Sequence, residues 1–588
     1  MLHAIAAALL PVYRLAMNDL EAVSEKASSP ETLWHSAYVH PNPWETQLAP
    51  LSIADMFDAS VARTPDVIVA DFMGARISYR QLGGWVDRFA SALQATGVTK
   101  GDRVGLFLPN VPDYLIAYYG ALKIGAIIVN MSPLYTLEEL EEQLADSGTK
   151  IVVTVDVPML YKNAEALLKL AMIERLIVGS LSGWLPPLKR MLFQLFKRSE
   201  QALIPTDNAR IMRLMTMVAA GSPILAPVAI DPEKDIALIQ YTGGTTGTPK
   251  GAMLTHQNLT ANARQVDLLD PKIEIDDRIV GALPFFHVFA NTCVLNRTIL
   301  AGGMIAMLPR FEAGAVLSTI ARIKATALPG VPTMYQALLD HPDVSKTDFS
   351  SLRFCISGGA PLPAEVKARF EAVTGATVIE GYGLTESSGV VASNPYIGHN
   401  KTGTIGQPVP GTMVKLVDRD DPTRPAPEGE PGEIILYGPQ MMQGYWGRQE
   451  TGNETFVGGG VRTGDVGVID EDGYIRIVDR LKDMIAVAGF KVFPSTIEKR
   501  LYANDAVKEA LVIGIPDTYS GEKPKAFVTL NDGASIDGEA LRNWLNPQLG
   551  KHERVIAVEV RKSLPKTLVG KLSRKELVAE EKAKAANA

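Results

Sequence analysis

This chain of 588 residues has few cysteines, no long apolar run and no net positive charge. Only Cys293 and Cys355 occur, so the sequence offers neither a disulfide framework nor a zinc-ligand spacing, and a reducing cytoplasm is the simplest setting. No stretch has the apolar length that a membrane-spanning helix needs. The formal net charge of −7 disfavours nucleic acid as a partner, because binding to a phosphate backbone requires a clustered basic surface.

The composition of the whole chain, with 46% hydrophobic and 21% charged residues, is typical of a globular enzyme. The length predicts a large body with at least one smaller unit. Charge is spread unevenly, since residues 481–588 hold 18 Lys and Arg against 14 Asp and Glu, whereas the preceding residues hold 40 against 51. We therefore predict a body at 51–480 and a basic final domain at 481–588.

Residues 1–50 are predicted to be an N-terminal extension. The apolar run Met1–Leu10 superficially resembles a signal peptide, but no Lys or Arg precedes it. A cytosolic extension is the favoured interpretation, and a translation start at Met17 is the alternative.

Short apolar stretches alternate with helical patterns through the body, which predicts an α/β fold. Arg103–Leu108 and Lys150–Thr154 are predicted strands. Pro112–Ile124 and Leu137–Ala145 are predicted helices, the first beginning with proline and the second with acidic residues near its start.

The glycine- and threonine-rich stretch Tyr241–Gly251 is a candidate phosphate loop. It follows a predicted apolar strand, Asp235–Gln240, and its glycines can turn successive N–H groups towards an anion while threonine hydroxyls and Lys250 add donors. Lys250 follows a proline and precedes a glycine, so the Walker pattern is absent. The residues predicted to bind phosphate are Thr242, Gly243, Gly244, Thr245, Thr246, Gly247, Thr248 and Lys250.

Two further turn-rich segments, Gly330–Thr333 and Ile356–Leu362, lie at the ends of apolar strands, where ligands of open α/β sheets bind. Glu380–Glu386 is a third candidate segment. In the last of them a tyrosine between two glycines offers a shelf for adenine, and Glu386 is an oxygen ligand of the kind that Mg²⁺ prefers. Asp465, in Arg462–Asp465, can accept hydrogen bonds from both ribose hydroxyls.

At these motifs the chain resembles the acyl-activating, adenylate-forming ligases, which include acyl-CoA synthetases, luciferases and the adenylation domains of peptide synthetases. The pattern Pro-x-Thr-x-x-Gly-Lys-x-x-Arg at 565–574 completes the resemblance, which runs from about Leu51 to about Leu577 and is strongest to bacterial long-chain fatty acid CoA ligases. It implies a large N-terminal adenylation body of several subdomains and a small, mobile C-terminal α+β lid domain.

The resemblance also implies roles for individual residues. Besides the phosphate loop, the residues implied in nucleotide binding are Gly358, Gly359, Ala360, Glu380, Gly381, Tyr382, Gly383, Thr385, Asp465, Ile477, Arg480 and Lys571. The residues implied in acyl binding are Phe285, His287, Val288, Gly330, Val331 and Gly383. The implied Mg²⁺ ligands are Thr245 and Glu386. Lys571 is the implied adenylation lysine, assisted in catalysis by Thr245, Glu386, His287 and Lys250. Lys482 is the implied hinge, and Gly489, Phe490 and Lys491 are implied to face coenzyme A.

The implied reaction uses ATP, Mg²⁺ and coenzyme A in two steps: a fatty acid forms acyl-AMP and pyrophosphate, and coenzyme A then displaces AMP. A medium-chain or aryl acid, or transfer from acyl-AMP to a carrier protein, is an alternative. So is an inactive acyl- or nucleotide-binding module, which intact Lys571, Glu386 and Asp465 disfavour. A homodimer stays open.

The segment Trp184–Arg198 places five apolar residues on one face of a helix, with Lys and Arg beside them. Two interpretations stand equal: peripheral contact with the inner face of the membrane, or a surface helix packed onto the core.

Overall fold

The computed structural model describes residues 34–223, 226–242, 249–271, 276–448, 455–488, 490–517, 519–567 and 572–586. The α-helices are α1 (Ile53–Arg63), α2 (Tyr79–Ala95), α3 (Pro112–Lys123), α4 (Leu137–Ser147), α5 (Pro158–Lys169), α6 (Pro187–Phe196), α7 (Leu214–Ala220), α8 (His256–Leu268), α9 (Val288–Ala290), α10 (Arg297–Ala301), α11 (Ala313–Ile323), α12 (Pro332–Leu339), α13 (Ala364–Thr374), α14 (Pro494–Tyr502), α15 (Gly538–Leu545) and α16 (Arg574–Ala586). A π-helix, Asn291–Asn296, joins α9 to α10.

The strands of the body are β1 (Ile68–Phe72), β2 (Ala75–Ser78), β3 (Arg103–Phe107), β4 (Ile127–Met131), β5 (Ile151–Val155), β6 (Arg175–Gly179), β7 (Ile211–Arg213), β8 (Ile236–Thr242), β9 (Lys250–Thr255), β10 (Arg278–Gly281), β11 (Met304–Met307), β12 (Ala327–Gly330), β13 (Phe354–Ser357), β14 (Thr377–Tyr382), β15 (Ala392–Ser393), β16 (Gln407–Pro408), β17 (Met413–Val417), β18 (Gly432–Tyr437), β19 (Gly444–Tyr445), β20 (Phe456–Val457), β21 (Gly460–Ile469) and β22 (Ile475–Arg480). Those that follow are β23 (Ile485–Val487), β24 (Phe490–Val492), β25 (Val507–Asp517), β26 (Gly521–Leu530) and β27 (Val558–Val560).

Two large sheets form the body, and most of their strand pairs are parallel. One has the order β16-β15-β14-β13-β12-β10-β11-β1-β2, and the other the order β19-β9-β8-β4-β3-β5-β6-β7. Strands β3 to β5 are almost wholly buried, as expected for parallel strands covered on both faces. A third, antiparallel sheet contains β17, β18, β20, β21 and β22.

The predicted helices are present with small differences at their ends. Helix α3 begins at Pro112, where the missing N–H of proline costs no hydrogen bond. Helix α4 begins after Thr136, which forms a capping box with Glu139, and it continues two residues beyond the predicted end to a left-handed Gly148.

Residues 34–50, which the sequence assigned to an extension, pack against the body. The Trp34 indole is buried and donates to the Gly473 carbonyl at 3.0 Å, and the Trp44 indole donates to the Thr412 carbonyl at 2.8 Å. Both rings belong to a hydrophobic cluster with Ile475 of the third sheet. Met1–Leu10 and Met17 lie outside the described residues.

The C-terminal unit has its own sheet, β24-β23-β26-β25 with β27 beside β26. Its core is a separate hydrophobic cluster that includes Ile485, Leu501 and Leu541. This α+β unit and the α/β body confirm the predicted fold class, and the boundary at residue 481 stays a prediction. Among the described residues, no helix is both long and apolar enough to cross a membrane.

Candidate active site

The predicted turn-rich segments come together at one edge of the nine-stranded sheet. Strands β12, β13 and β14 are parallel neighbours, and their register places Gly330, Ser357 and Glu380 side by side, with Gly358 directly after Ser357. The Gly358 amide donates to the Gly330 carbonyl at 3.3 Å. This edge is where open α/β sheets bind their ligands.

Close backbone contacts explain the glycine at position 383. A Cβ atom there would lie 1.5 Å from the Gly389 carbonyl oxygen, so no other residue fits without moving the backbone. At Gly358 a Cβ atom would lie 3.2 Å from the Phe289 ring, and Gly359 has a positive φ of 84°. The glycines at these positions therefore follow from close packing and from backbone conformation.

The Glu380 carboxyl group supports this segment. Its Oε1 accepts a hydrogen bond from the Leu362 amide at 3.1 Å. Burial raises the pKa of Glu380 to about 7, although the Leu362 amide and the Lys367 ammonium oppose the rise. Glu380, which is predicted to contribute to nucleotide binding, thus also has a structural role, because its carboxyl group holds Leu362 beside the strand end.

Asp465 is the most buried acidic side chain of the candidate site, with 2% of its surface exposed. Its Oδ1 accepts from the Arg480 guanidinium at 2.7 Å, and its Oδ2 accepts from the Tyr382 hydroxyl. Burial and the neighbouring carboxylate hold the pKa of Tyr382 well above its ordinary value, so the hydroxyl keeps its proton and donates. Three residues predicted separately thus form one hydrogen-bonded set, with Ile477 on the same strand, β22, as Arg480.

Glu386 is linked to Lys250 through a residue that the sequence argument missed. The Tyr445 hydroxyl donates to Glu386 Oε1 at 2.7 Å, and the Lys250 ammonium lies 5.3 Å from the centre of the Tyr445 ring. Strand β19 carries Tyr445 and pairs with β9, which begins at Lys250. The signal available in the sequence was the aromatic pair in Gly444–Trp446, which no local pattern connects to Glu386.

The phosphate loop is described only at its two ends. Thr242 and Lys250 lie opposite each other in the β8–β9 pair, and the Thr242 hydroxyl donates to the Lys250 carbonyl at 3.4 Å. Several predicted site residues lie outside the described residues. They are Gly243, Gly244, Thr245, Thr246, Gly247, Thr248, Gly489 and Lys571.

The predicted acyl-binding residues differ in how deeply they are buried. Phe285 and Val288 are buried, and the Phe285 ring packs edge-on against Tyr114 with its centre 5.5 Å away. His287 is half-buried, and its Nδ1 accepts from the Phe289 amide at 3.3 Å, which leaves the proton of a neutral ring on Nε2. Val331 is buried at the start of α12, directly after Gly330.

The predicted hinge is the short 3₁₀ turn Leu481–Asp483. Burial, followed by the nearby Arg480, lowers the pKa of Lys482, whereas Asp483, Asp465 and Glu386 oppose that change. Lys482 therefore lies within electrostatic range of both carboxylates of the site. The predicted hinge directly follows Arg480 of the candidate nucleotide site.

Beyond the turn, the two described residues that are predicted to face coenzyme A, Phe490 and Lys491, are exposed. Phe490 is 59% exposed and stacks on His552 with ring centres 4.9 Å apart. Lys491 pairs with Asp420 of the body at 2.6 Å.

These features define a nucleotide-binding α/β body joined to a small α+β unit. The sequence profile described as "AMP-binding enzyme" matches residues 57–446, and that described as "AMP-binding enzyme C-terminal domain" matches residues 496–571. The chain belongs to the AMP-binding enzyme family, as the motifs predicted.

Relatives and solved structures agree with this assignment. The chain is 40% identical over 551 residues to a long-chain-fatty-acid–CoA ligase of Bacillus subtilis (strain 168), covering 93% of this chain and 98% of the relative. It is 36% identical over 507 residues to a feruloyl-CoA synthase of an Amycolatopsis species, covering 86% and 94%. The crystal structure of ATP-bound MatB from Rhodopseudomonas palustris matches with a TM-score of 0.78 and 30% identity, covering 90% and 99%.

Replacing Tyr445 with phenylalanine tests the link to Glu386. The variant keeps the ring beneath Lys250 but removes the donor that orients the carboxylate. Partners of metal ligands typically contribute about 10- to 100-fold to metal affinity, so we expect the Mg²⁺ concentration for half-maximal ATP–pyrophosphate exchange to rise by about tenfold or more. Binding of Mn²⁺ in the presence of ATP, followed by electron paramagnetic resonance, gives a readout independent of turnover.

Tyr437→Phe is the matched control, because Tyr437 is also half-buried and its ring lies 5.5 Å from an ammonium, that of Lys415, in the third sheet. It should leave the Mg²⁺ dependence unchanged. An unchanged Mg²⁺ dependence in Tyr445→Phe would show that the hydroxyl does not act through Glu386.

Proposed function

We propose that this protein is a long-chain fatty acid CoA ligase that makes acyl-AMP from a fatty acid and ATP and then transfers the acyl group to coenzyme A. The observation that carries the proposal is the convergence of two carboxylates on one site. Asp465, bound to Tyr382 and Arg480, suits ribose, and Glu386, linked through Tyr445 to Lys250, suits the metal and phosphates of the same nucleotide.

In the first step a carboxylate oxygen of the acid attacks the α-phosphorus of ATP, and the bond from that phosphorus to the oxygen bridging to the β-phosphate breaks. Pyrophosphate leaves. Such a transition state is stabilised by positioning and charge. We assign the positive charge to Lys250 and Lys571 and the hydrogen-bonding contacts to the threonines of the phosphate loop.

Mg²⁺ fits the donors at Glu386, because a carboxylate oriented by a neighbouring hydroxyl is a hard oxygen ligand. Glu386 and Thr245 would hold the ion, with further oxygens from the nucleotide. The ion supplies charge neutralisation at the phosphates.

The acyl group is assigned to the space beside His287 and the Gly330–Val331 turn. A His287 Nε2 that carries the proton can donate to the substrate carboxylate, and an apolar wall with few polar groups is typical of ligand pockets. In the second step the sulfur of coenzyme A attacks the acyl carbonyl carbon and AMP leaves. We assign Gly489, Phe490 and Lys491 to the coenzyme A side.

Two rival activities have support. An aryl acid as substrate is favoured by the similarity to a feruloyl-CoA synthase. A transfer of the acyl group to a carrier protein uses the same first step. The free, buried thiols of Cys293 and Cys355 suit a cytoplasmic setting for any of them.

ATP–pyrophosphate exchange and acyl-CoA formation should be measured with a panel of acids, from medium- and long-chain fatty acids to ferulate and benzoate. We expect kcat/KM to be highest for the long-chain acids in both assays. A preference for ferulate or benzoate would replace the substrate class, and exchange without acyl-CoA formation would favour the carrier protein. Loss of both activities would favour a binding module.

Lys482→Pro tests the hinge. Proline fixes φ at about −65° and restricts the preceding Leu481, so rotation of the C-terminal unit about this turn should be blocked. We expect pyrophosphate exchange to persist while acyl-CoA synthesis falls by orders of magnitude, because only the second step needs the other orientation.

Lys571→Ala is the complementary variant. It should abolish acyl-AMP formation and leave conversion of supplied acyl-AMP to acyl-CoA largely intact. Equal loss of both half-reactions in either variant, on correctly folded protein, would contradict this division of labour.

A further inference from the structure

Helix α6 presents its apolar face to solvent. The exposed fractions are 64% for Leu188, 50% for Met191, 43% for Leu192, 67% for Leu195 and 79% for Phe196. These five residues, the α6 stripe, recur at helical spacing along one side of the helix. The interpretation of α6 as a helix packed onto the core is therefore wrong for this face.

The opposite side of α6 fixes its orientation on the body. The Lys189 ammonium donates to the Met73 carbonyl at 2.8 Å, and the Arg190 guanidinium donates to the Gly183 carbonyl. Phe193 is half-buried against the main core. The helix follows β6 and precedes β7, the last strand at one edge of the eight-stranded sheet. It is thus held on the surface with its stripe outward.

The charged residues in the segment that carries the stripe are basic. Residues 187–199 contain Lys189, Arg190, Lys197 and Arg198 and no Asp or Glu, in a chain whose net charge is −7. The Lys197 ammonium lies 3.0 Å from Glu200, in an exposed pair of the kind that contributes little. A cationic rim beside an apolar stripe matches a surface with negative headgroups above an apolar layer.

A second copy of the chain fits this face less well. A stable protein interface buries about 800 Å² on each partner, whereas a ten-residue helix is only about 15 Å long. The stripe alone is too small for such an interface. A bilayer sets no such minimum area. The stripe can insert to the depth of one helix face, and the bilayer then covers the apolar surface that has entered it.

We propose that α6 is a membrane-docking helix, which places the stripe in the interface of an anionic bilayer and the adjoining Lys197 and Arg198 among the headgroups. This inference stands apart from the proposed reaction. If that reaction is correct, docking brings the body to the bilayer in which long-chain acids accumulate.

Flotation of the full chain with vesicles tests the proposal. The vesicles are phosphatidylcholine alone or with about one third phosphatidylglycerol, in about 0.05 M and about 0.5 M salt. We expect binding to the anionic vesicles and at least a tenfold lower partition coefficient on neutral vesicles or in high salt. Equal binding to neutral and anionic vesicles would overturn the assigned role of the charges.

Two variants separate the stripe from its rim. Leu188→Gln/Leu195→Gln/Phe196→Gln removes apolar surface, and Lys197→Gln/Arg198→Gln removes charge without touching the contacts of Lys189 and Arg190. Each should lower the partition coefficient by about tenfold or more. The matched controls are Met159→Gln/Ile397→Gln, which are 58% and 63% exposed, and Lys346→Gln/Arg424→Gln, which are in exposed i,i+3 ion pairs as Lys197 is.

Thermal unfolding measures the stability of each variant, and ATP–pyrophosphate exchange with a short soluble acid measures its activity. Both are independent of flotation. Unchanged flotation in both α6 variants overturns the proposal even if exchange is normal. So does flotation that is lost only when residues 1–33 are deleted, or a stripe variant that changes the oligomeric state by sedimentation and leaves flotation unaltered. Wild-type protein that floats but shows no exchange with any acid of the panel would instead count against the proposed function.

Discussion

The buried Asp465 carboxylate is the constraint on which the candidate site depends. A charge that is 2% exposed must be paired, since an unpaired buried charge costs several kcal/mol. Its two partners come from different parts of the chain: Tyr382 ends β14 of the nine-stranded sheet, and Arg480 ends β22 of the third sheet. Pairing of Asp465 with Arg480 in the β21–β22 ladder holds the guanidinium in place. One side chain thus links the large sheet, the third sheet and the residue before the predicted hinge.

This arrangement explains how a firm nucleotide site can lie beside a turn that we propose to move. Arg480 is tied to the body through Asp465, and Lys482 follows two residues later in a turn whose Asp483 pairs with Arg574 at 2.9 Å. Beyond the turn, the exposed ion pair between Lys491 and Asp420 contributes little to stability. Ser495 of the C-terminal unit also donates to Asp479 Oδ2 at 2.9 Å and to the Val478 carbonyl at 2.6 Å. Because the C-terminal unit has a separate core, it can change orientation without losing its own packing. Residues 480–482 are therefore the place where the candidate site meets the unit that we propose to rotate.

Much of the fold and part of the site follow from local sequence. Pro112 and the Thr136–Glu139 capping box mark helix starts, and motifs after apolar stretches do lie at adjoining strand ends. Long-range pairings were beyond such reasoning. Tyr445 contacts Glu386 across 59 residues, and Trp34 contacts Gly473 across 439. Periodicity located the α6 stripe but left its orientation undecided, because a helical stripe can face core or solvent equally well, and only tertiary contacts such as Lys189 with Met73 decide it.

Calorimetric binding of ATP and of 2′,3′-dideoxy-ATP to wild-type protein and to Asp465→Asn tests the central assignment, that Asp465 holds the ribose. A hydrogen bond to a charged group contributes about 1.5–3 kcal/mol, so wild type should bind ATP at least about tenfold more tightly than the dideoxy analogue. In Asp465→Asn, whose side chain keeps the shape and loses the charge, that preference should shrink to about twofold. Equal discrimination by both proteins would show that Asp465 only supports the fold through Tyr382 and Arg480.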